Sequence, residues 1–310
     1  METTVQQEKK YPKKGRLCID VDLMGPLCMI SAALLFTMMS LLVKQMDPRY
    51  TVWHIGFIRL AGGGLLLLAI FGRHHNLYRG NNIPMLIFRG CTGTVAFIAS
   101  VTAIRLLPIS TSVVIFYSFP VFAALFGAII YKERIGLSQI LCILMVMAGV
   151  ALLFDFKFSV NLFGQCMALM AGLFAGLTVT LVSSLREQNG SVIIYLYFCT
   201  VGAVVTSPVF ILNPVIPATS VEWLMVTGII VTSLIAQLLM NQGFFYCRGW
   251  EGGVYMSSET LFTSVAGIVF MNDHVSWRFW VGGSIILGSG LLLNWLRLNA
   301  RDHLLHSSTE

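Results

Sequence analysis

The sequence predicts an all-α integral membrane protein whose ten transmembrane helices form two inverted five-helix repeats, and three observations lead there. Hydrophobic residues fill 56% of the 310 positions and charged ones 11%, with a mean hydropathy of +0.80; a soluble domain carries about 25% charged residues, so a water-soluble globule is excluded. The apolar residues gather into ten runs near the length of a bilayer crossing, about 20 residues each. The chain also echoes itself at a shift of 140 residues.

The runs are bounded by charge or by Gly, Pro and Asn. A basic tail, residues 1-22, carries Lys9, Lys10, Lys13, Lys14 and Arg16 ahead of the first run, 23-44. That run is too long for a cleaved signal peptide and is expected to act as its own insertion signal. The second, 52-72, follows Asp47-Pro48-Arg49 and ends at Gly72-Arg73. The third, 84-105, opens at Pro84 after Asn81-Asn82. The fourth, 110-131, lies between Pro108 and Lys132-Glu133-Arg134, and the fifth is 136-154. The second set comprises 160-184, closed by Arg186-Glu187, then 192-212, closed by Asn213-Pro214, then 220-245, 251-271 and 276-297, the last followed by a polar tail, 298-310. The expected repeats are thus 23-154 and 160-297.

With the amino terminus inside, fourteen of the twenty Lys and Arg fall on the cytoplasmic side, while Lys44, Arg49, Arg105, Lys157 and Arg278 fall outside and Arg59 lies within a run. Cytoplasmic loops retain Lys and Arg, so both termini are expected in the cytoplasm. The net charge of +6 is accounted for by topology, and no nucleic-acid partner is needed. None of the seven cysteines forms a Cys-x-x-Cys pair; they imply neither disulfide framework nor zinc site, and no cofactor is expected.

The self-echo lays Ser118-Phe119-Pro120-Val121-Phe122 on Ser258-Glu259-Thr260-Leu261-Phe262, Gly127 on Gly267 and Glu133 on Asp273; at a shift of 139, Gly25 meets Gly164. Five crossings per copy is an odd number, so the second copy enters the membrane upside down. Inverted repeats of this kind mark transporters with a midplane substrate site and alternating access.

The run Leu107-Pro108-Ile109-Ser110-Thr111 through Tyr117-Ser118-Phe119-Pro120-Val121-Phe122, then Glu133-Arg134 and Gly149, resembles the first EamA repeat of the drug/metabolite transporter superfamily, and Gly249 to Leu293 resembles the second. Phe57-Ile58-Arg59 and Arg89-Gly90 match the same habit. The resemblance implies a ten-helix, five-plus-five fold with a central cavity lined mainly by the first, third, fourth, sixth, eighth and ninth crossings. The pairing of Glu259 with Asp273 is similar to the S-adenosylmethionine carriers and to G-type solute carriers of that superfamily.

Glu259 is the acidic residue farthest from a run end, about eight residues into the ninth crossing and so ~12 Å deep at 1.5 Å per residue. An ionised carboxylate there is costly unless paired or wet, so such residues face cavities and mark ion or substrate pathways. Glu259 is the candidate proton-coupling or substrate-binding group, with a permanent structural ion pair as the competing role. Arg59, ~10 Å deep by the same rise, offers a planar fork to a carboxylate or phosphate; helix bracing and substrate contact are both open. Arg89, a turn inside the end of the third crossing, is expected to snorkel to the headgroups as an interfacial anchor.

Gln237 and Asn241 share a helix face with Ser233; Tyr255, Ser258 and Glu259 share one with Phe262; Ser118, beside Tyr117, shares one with Thr111 and Phe122. These stripes fit a hydrogen-bonding cavity, and also polar glue between helices. Pro120 frees a carbonyl in mid-crossing and is a candidate hinge. Glu133 and Asp273 are expected at helix ends as boundary markers or gate pairs. Trp53, Phe116, Tyr117, Tyr195, Tyr197 and Tyr255 are candidate walls, Trp53 more readily an interface-belt residue. Gly62-Gly63-Gly64 lacks a P-loop lysine and reads as close helix packing. His74-His75 reads as a solvated loop.

No Walker A sequence is present to hydrolyse ATP. The expected function is therefore secondary transport of a small organic metabolite by alternating access, proton-coupled, the substrate amino-acid-like, zwitterionic or S-adenosylmethionine-like. A multidrug or organic-cation exporter of the same fold is the alternative. An intramembrane enzyme would want Gly-x-Ser-Gly, paired deep aspartates or His-Glu-x-x-His, and Gly288-Ser289-Gly290 lacks the preceding glycine. A channel would want a filter or charged ring from symmetric copies. The expected partners are the metabolite, membrane lipid and protons, in a monomer or weak homodimer of a bacterial inner or eukaryotic plasma membrane.

Overall fold

Within lipid every backbone N–H and C=O has to be satisfied inside its own segment, so uninterrupted apolar runs become helices. The computed structural model describes residues 21–72, 78–132, 136–153, 161–247 and 249–271, with isolated positions between 277 and 292. Among the described residues the chain is all helical: α1 Val21–Gln45, α2 Val52–Phe71, α3 Ile83–Leu106, α4 Ile109–Phe116, α5 Phe119–Tyr131, α6 Leu137–Leu153, α7 Leu162–Leu185, α8 Ser191–Leu212, α9 Ser220–Tyr246, α10 Gly249–Met256 and α11 Ser258–Met271. Eight stretches among the described residues are long and apolar enough to cross a membrane, α4 with α5 and α10 with α11 each counting as one. The fifth expected crossing is α6, only 17 residues long. The tenth, 276-297, falls almost wholly outside the described residues.

Two spans are broken at matching places. Pro120 occupies the first turn of α5 and cannot donate to Phe116 O, so the ladder stops at Tyr117 and restarts after Ser118. The α10–α11 break has no proline. There Ser257 Oγ bonds back to Val254 O at 2.5 Å and Ser258 Oγ to Tyr255 O at 2.9 Å, giving carbonyls a side-chain partner and loosening the helix. The fourth crossing, where Pro120 was the candidate hinge, and the ninth are each two half-helices, and the broken points, 117 and 257, stand 140 residues apart.

The packing repeats in the same sense. α1 lies along α9 as α3 lies along α7, and α2 pairs with α8. A Cβ on Gly25 of α1 would meet Cys247 Sγ and Tyr246 Cβ at the end of α9, at 2.6 and 3.2 Å; a Cβ on Gly164 of α7 would meet Leu107 Cγ and Leu106 Cβ at the end of α3, at 2.9 and 3.2 Å. The glycine echo in the sequence is therefore one contact made twice. The broken spans cross antiparallel, α4 against α11 and α5 against α10. Close packing is also what Gly62 serves, where a Cβ would lie 2.5 Å from Ile230 Cδ1.

Polar ties close each end of the bundle. At one end Lys44 Nζ donates to Ile104 O and Leu107 O (2.8 and 2.7 Å), capping the last carbonyls of α3. Arg105 donates to Met46 O at 2.7 Å and to Tyr50 O, Arg49 pairs with Glu222, and the Tyr50 phenol donates to the same carboxylate at 3.0 Å. Burial and the adjoining Glu222 push the Tyr50 phenol up from its ordinary value, which keeps it a donor. His54 Nδ1 accepts from the Thr51 N–H at 3.2 Å, and its Nε2 meets Asn213 O at 2.6 Å, tying α2 to the end of α8. At the other end Arg186 donates to Asn189 O and Gln242 Oε1 (2.7 and 2.9 Å), and Asn189 and Asn81 exchange two bonds of 2.7 and 3.0 Å.

Candidate functional site

Between the two tied ends lies a cavity of about 130 Å³. Its wall is mostly apolar and aromatic, with Phe36 and Met39 from α1, Phe97 from α3, Phe116 and Phe119 flanking the α4–α5 break, Phe198 from α8, Met240 from α9 and Met256 from α10. Into it come three charged side chains: Arg59 of α2, Arg89 of α3 and Glu259 of α11. All are buried, at 4%, 1% and 6% exposure. Ser40, Ser100, Thr178 and Gln237 supply the uncharged polar surface.

Glu259 stands in the first turn of α11, where the free N–H groups and positive end of the helix favour a carboxylate. Tyr117, at the α4–α5 break, donates its phenol to Glu259 Oε2 at 2.6 Å. The contact exists because both spans break where they cross. α7 lies against the α4–α5 break: a Cβ on Gly172 would sit 2.7 Å from Ser118 Oγ and 3.0 Å from Phe116 O, and one on Gly176 2.8 Å from Ala123 N and 2.9 Å from Phe119 O. Only glycine lets a helix lie on bare backbone this closely.

The two guanidiniums are held by rings. Arg59 Cζ sits 4.1 Å from the Phe97 centroid and Arg89 Cζ 4.4 Å from that of Phe198, cation–π contacts strengthened by removal from water. Among the described residues neither arginine has an ion pair within 4.0 Å, Glu259 included, and Arg59 Nε and Arg89 Nε and Nη1 are buried without a hydrogen-bond partner.

The structure brings Glu259, Arg59, Gln237 and, through its bond to Glu259, Tyr117 to one place. Asn241 lies one turn beyond Gln237, which donates to it at 3.5 Å, and itself donates to Ser191 O at 3.3 Å. Ser118, Ser258 and Tyr255 pack at the two breaks without lining the cavity. Pro120 starts α5 and helps end α4. Glu133 and Asp273, with His74-His75, lie outside the described residues. Of the aromatic candidates Phe116 lines the cavity, Tyr195 is buried beside Arg59, Cys199 and Ser233, Tyr197 donates to Tyr78 O at 2.9 Å, and Trp53 is exposed.

The expectation for Arg89 is overturned. Its side chain turns inward rather than snorkelling to the headgroups, because α3 is packed between α7 and α8 and the face carrying Arg89 points at Phe198. Phe97, Phe198 and Thr178 also escaped the sequence reading, since a Phe or Thr in an apolar run carries no mark of the direction it faces. α2 and α8, the second and seventh crossings, through Arg59 and Phe198, join the walls that the family resemblance implied. Among the described residues no group of three or more His, Cys, Asp and Glu is placed to hold a metal ion.

A multi-pass helical body enclosing a charged cavity between two tied ends is the architecture of a membrane transporter for small molecules. The chain matches the EamA-like transporter family over residues 22–155 and again over 162–295, and it belongs to that family. It is similar to the pseudopaline exporter CntI of Pseudomonas aeruginosa strains UCBPP-PA14 and PAO1, 26% identical in each case over 280 residues that span 89% of this chain and 95% of the exporter. It also superposes on a solved crystal structure of an 18% identical protein with a TM-score of 0.69, covering 88% of this chain and 96% of the other, a likeness of fold alone.

Proposed function

We propose that this protein is a secondary carrier that exports a small zwitterionic, amino-acid-like metabolite by alternating access, with Glu259 as the proton-coupling group. The observation that carries this reading is the cavity in which a buried carboxylate and guanidiniums stand together without pairing. A permanent structural ion pair would close on itself; these groups are left with capacity for a ligand's carboxylate and amine. Two arginines in the cavity wall disfavour the organic cations of a multidrug exporter. Export is the direction suggested by the relatives' printed activity.

In this reading the two repeats are inverted, with the antiparallel crossing of α4–α5 and α10–α11 as the pivot and the tied ends as alternating seals. The carrier sits in a bacterial inner membrane with both termini in the cytoplasm, as the distribution of Lys and Arg favours. The test is proteoliposome counterflow of radiolabelled amino acids with an imposed pH gradient. Saturable exchange accelerated by the gradient is expected; unitary currents in planar bilayers, with no counterflow, would replace the carrier by a pore.

A further inference from the structure

We propose that Arg89 and Arg59 together seat two acid groups of a single substrate, so that the cargo is an amino-dicarboxylate rather than an amino acid with one carboxylate. The inference rests on the carrier reading and narrows its substrate class.

Both guanidiniums reach the same cavity, and each has one flat face covered by a phenylalanine ring, Phe97 for Arg59 and Phe198 for Arg89. With a face covered, what a guanidinium still offers is its edge, where its N–H donors lie in plane and match a carboxylate fork. Among the described residues Arg59 Nε and Arg89 Nε and Nη1 meet no acceptor, and the Tyr195 phenol that neighbours Arg59 is an uncharged group. Glu259 does not answer for them: it is one carboxylate against two cations, already accepts the Tyr117 phenol, and stands outside ion-pair distance of both. Among the described residues the cavity wall therefore holds two guanidiniums against one carboxylate, and a ligand with two acid groups and one amine restores neutrality with every group opposed.

The fold also makes room for this arrangement. A Cβ on Gly93, one turn along α3 from Arg89, would lie 3.3 Å from Arg89 Nη1 and 3.1 Å from Phe198 Cε2, so the missing side chain is what lets the guanidinium and ring lie together.

The test uses the full chain in lipid nanodiscs and titrates L-glutamate, L-glutamine, glutarate and inorganic phosphate by calorimetry. Glutamate and glutamine differ by one charged oxygen for one amide. Glutamate is expected to bind about tenfold more tightly than glutamine, the scale of one charge-assisted bidentate contact, with glutarate weaker for want of the amine that faces Glu259. Arg89→Gln is expected to bring the glutamate-to-glutamine ratio to near one, and Arg89→Lys, which keeps the charge and loses the fork, to leave it intermediate. Monodisperse elution of both variants establishes folding. Equal binding of glutamate and glutamine, or a preference that survives Arg89→Gln, overturns the two-acid seat and leaves the zwitterion carrier standing. Phosphate binding without glutamate binding shows an anion seat of another kind and overturns it too. Binding of none of the four overturns both readings.

Discussion

The Tyr117 phenol donates to Glu259 Oε2 at 2.6 Å across 142 positions of sequence, with both side chains buried where two broken spans cross. One residue belongs to each repeat, so the bond joins the halves at the point about which alternating access would rock.

Glu259→Gln keeps the shape and removes the titrating proton. Counterflow of substrate is expected to persist, while net transport driven by a pH gradient falls to background. The check is paired counterflow and gradient-driven assays on one preparation; a variant that still responds to the gradient would remove Glu259 from coupling.

Tyr117→Phe deletes one hydroxyl and leaves a buried carboxyl oxygen without its donor. Such a loss costs about 1–3 kcal/mol, so a drop of several degrees in melting temperature is expected, together with slower transport. Unchanged melting in detergent would mean that a neighbouring group or water takes over the bond.

Gly176→Ala pushes a methyl group against Ala123 N and Phe119 O, backbone atoms that cannot rotate aside. Overpacking of this kind costs about 1–3 kcal/mol. Gly190→Ser, at the N-cap of α8 with nothing within 4 Å and an extended backbone, is expected to be neutral or slightly stabilising. Thermal unfolding of the two variants side by side decides it, and equal melting temperatures would contradict the close approach.

Arg59→Lys preserves the charge but neither the stacked plane over Phe97 nor the fork. Substrate affinity is expected to fall as far as in Arg59→Met. Full retention by lysine would make Arg59 a point charge instead of a planar donor, read from binding titrations of both variants.

The pair of Arg49 with Glu222 joins the α1–α2 turn to the start of α9 and, being partly exposed, contributes little to stability. Its expected role is to hold one end shut. In a background with Cys91 and Cys166 replaced by Ser, an R49C/E222C protein joined by a short bifunctional thiol reagent should lose transport, while the uncoupled protein keeps it. Full activity of the linked protein would mean that this end does not open.

Hydropathy carried much of this architecture. The apolar runs at 23-44, 52-72 and 84-105 coincide within a few residues with α1, α2 and α3, because in lipid length and composition leave a helix as the only solution. Glu259 and Arg59 were legible as candidates for a cavity, which both line, for the same reason: a charge deep in an apolar run has few places to go. Pro120 announced the break in the first repeat. The break at Ser257 was silent, since back-bonding serines look like any polar pair.

By itself, the sequence determined the class of the molecule and its repeat of 140 residues, both of which depend on order along one dimension. Tertiary structure alone decided which way Arg89 turns, that Phe97 and Phe198 cover the two guanidiniums, and that Tyr117 meets Glu259. The physical reason is that a helix apolar on nearly every side has no amphipathic stripe to fix its rotation; what sets the angle is the neighbour it packs against, here α7 and α8 around α3 and Gly172 and Gly176 beneath the break.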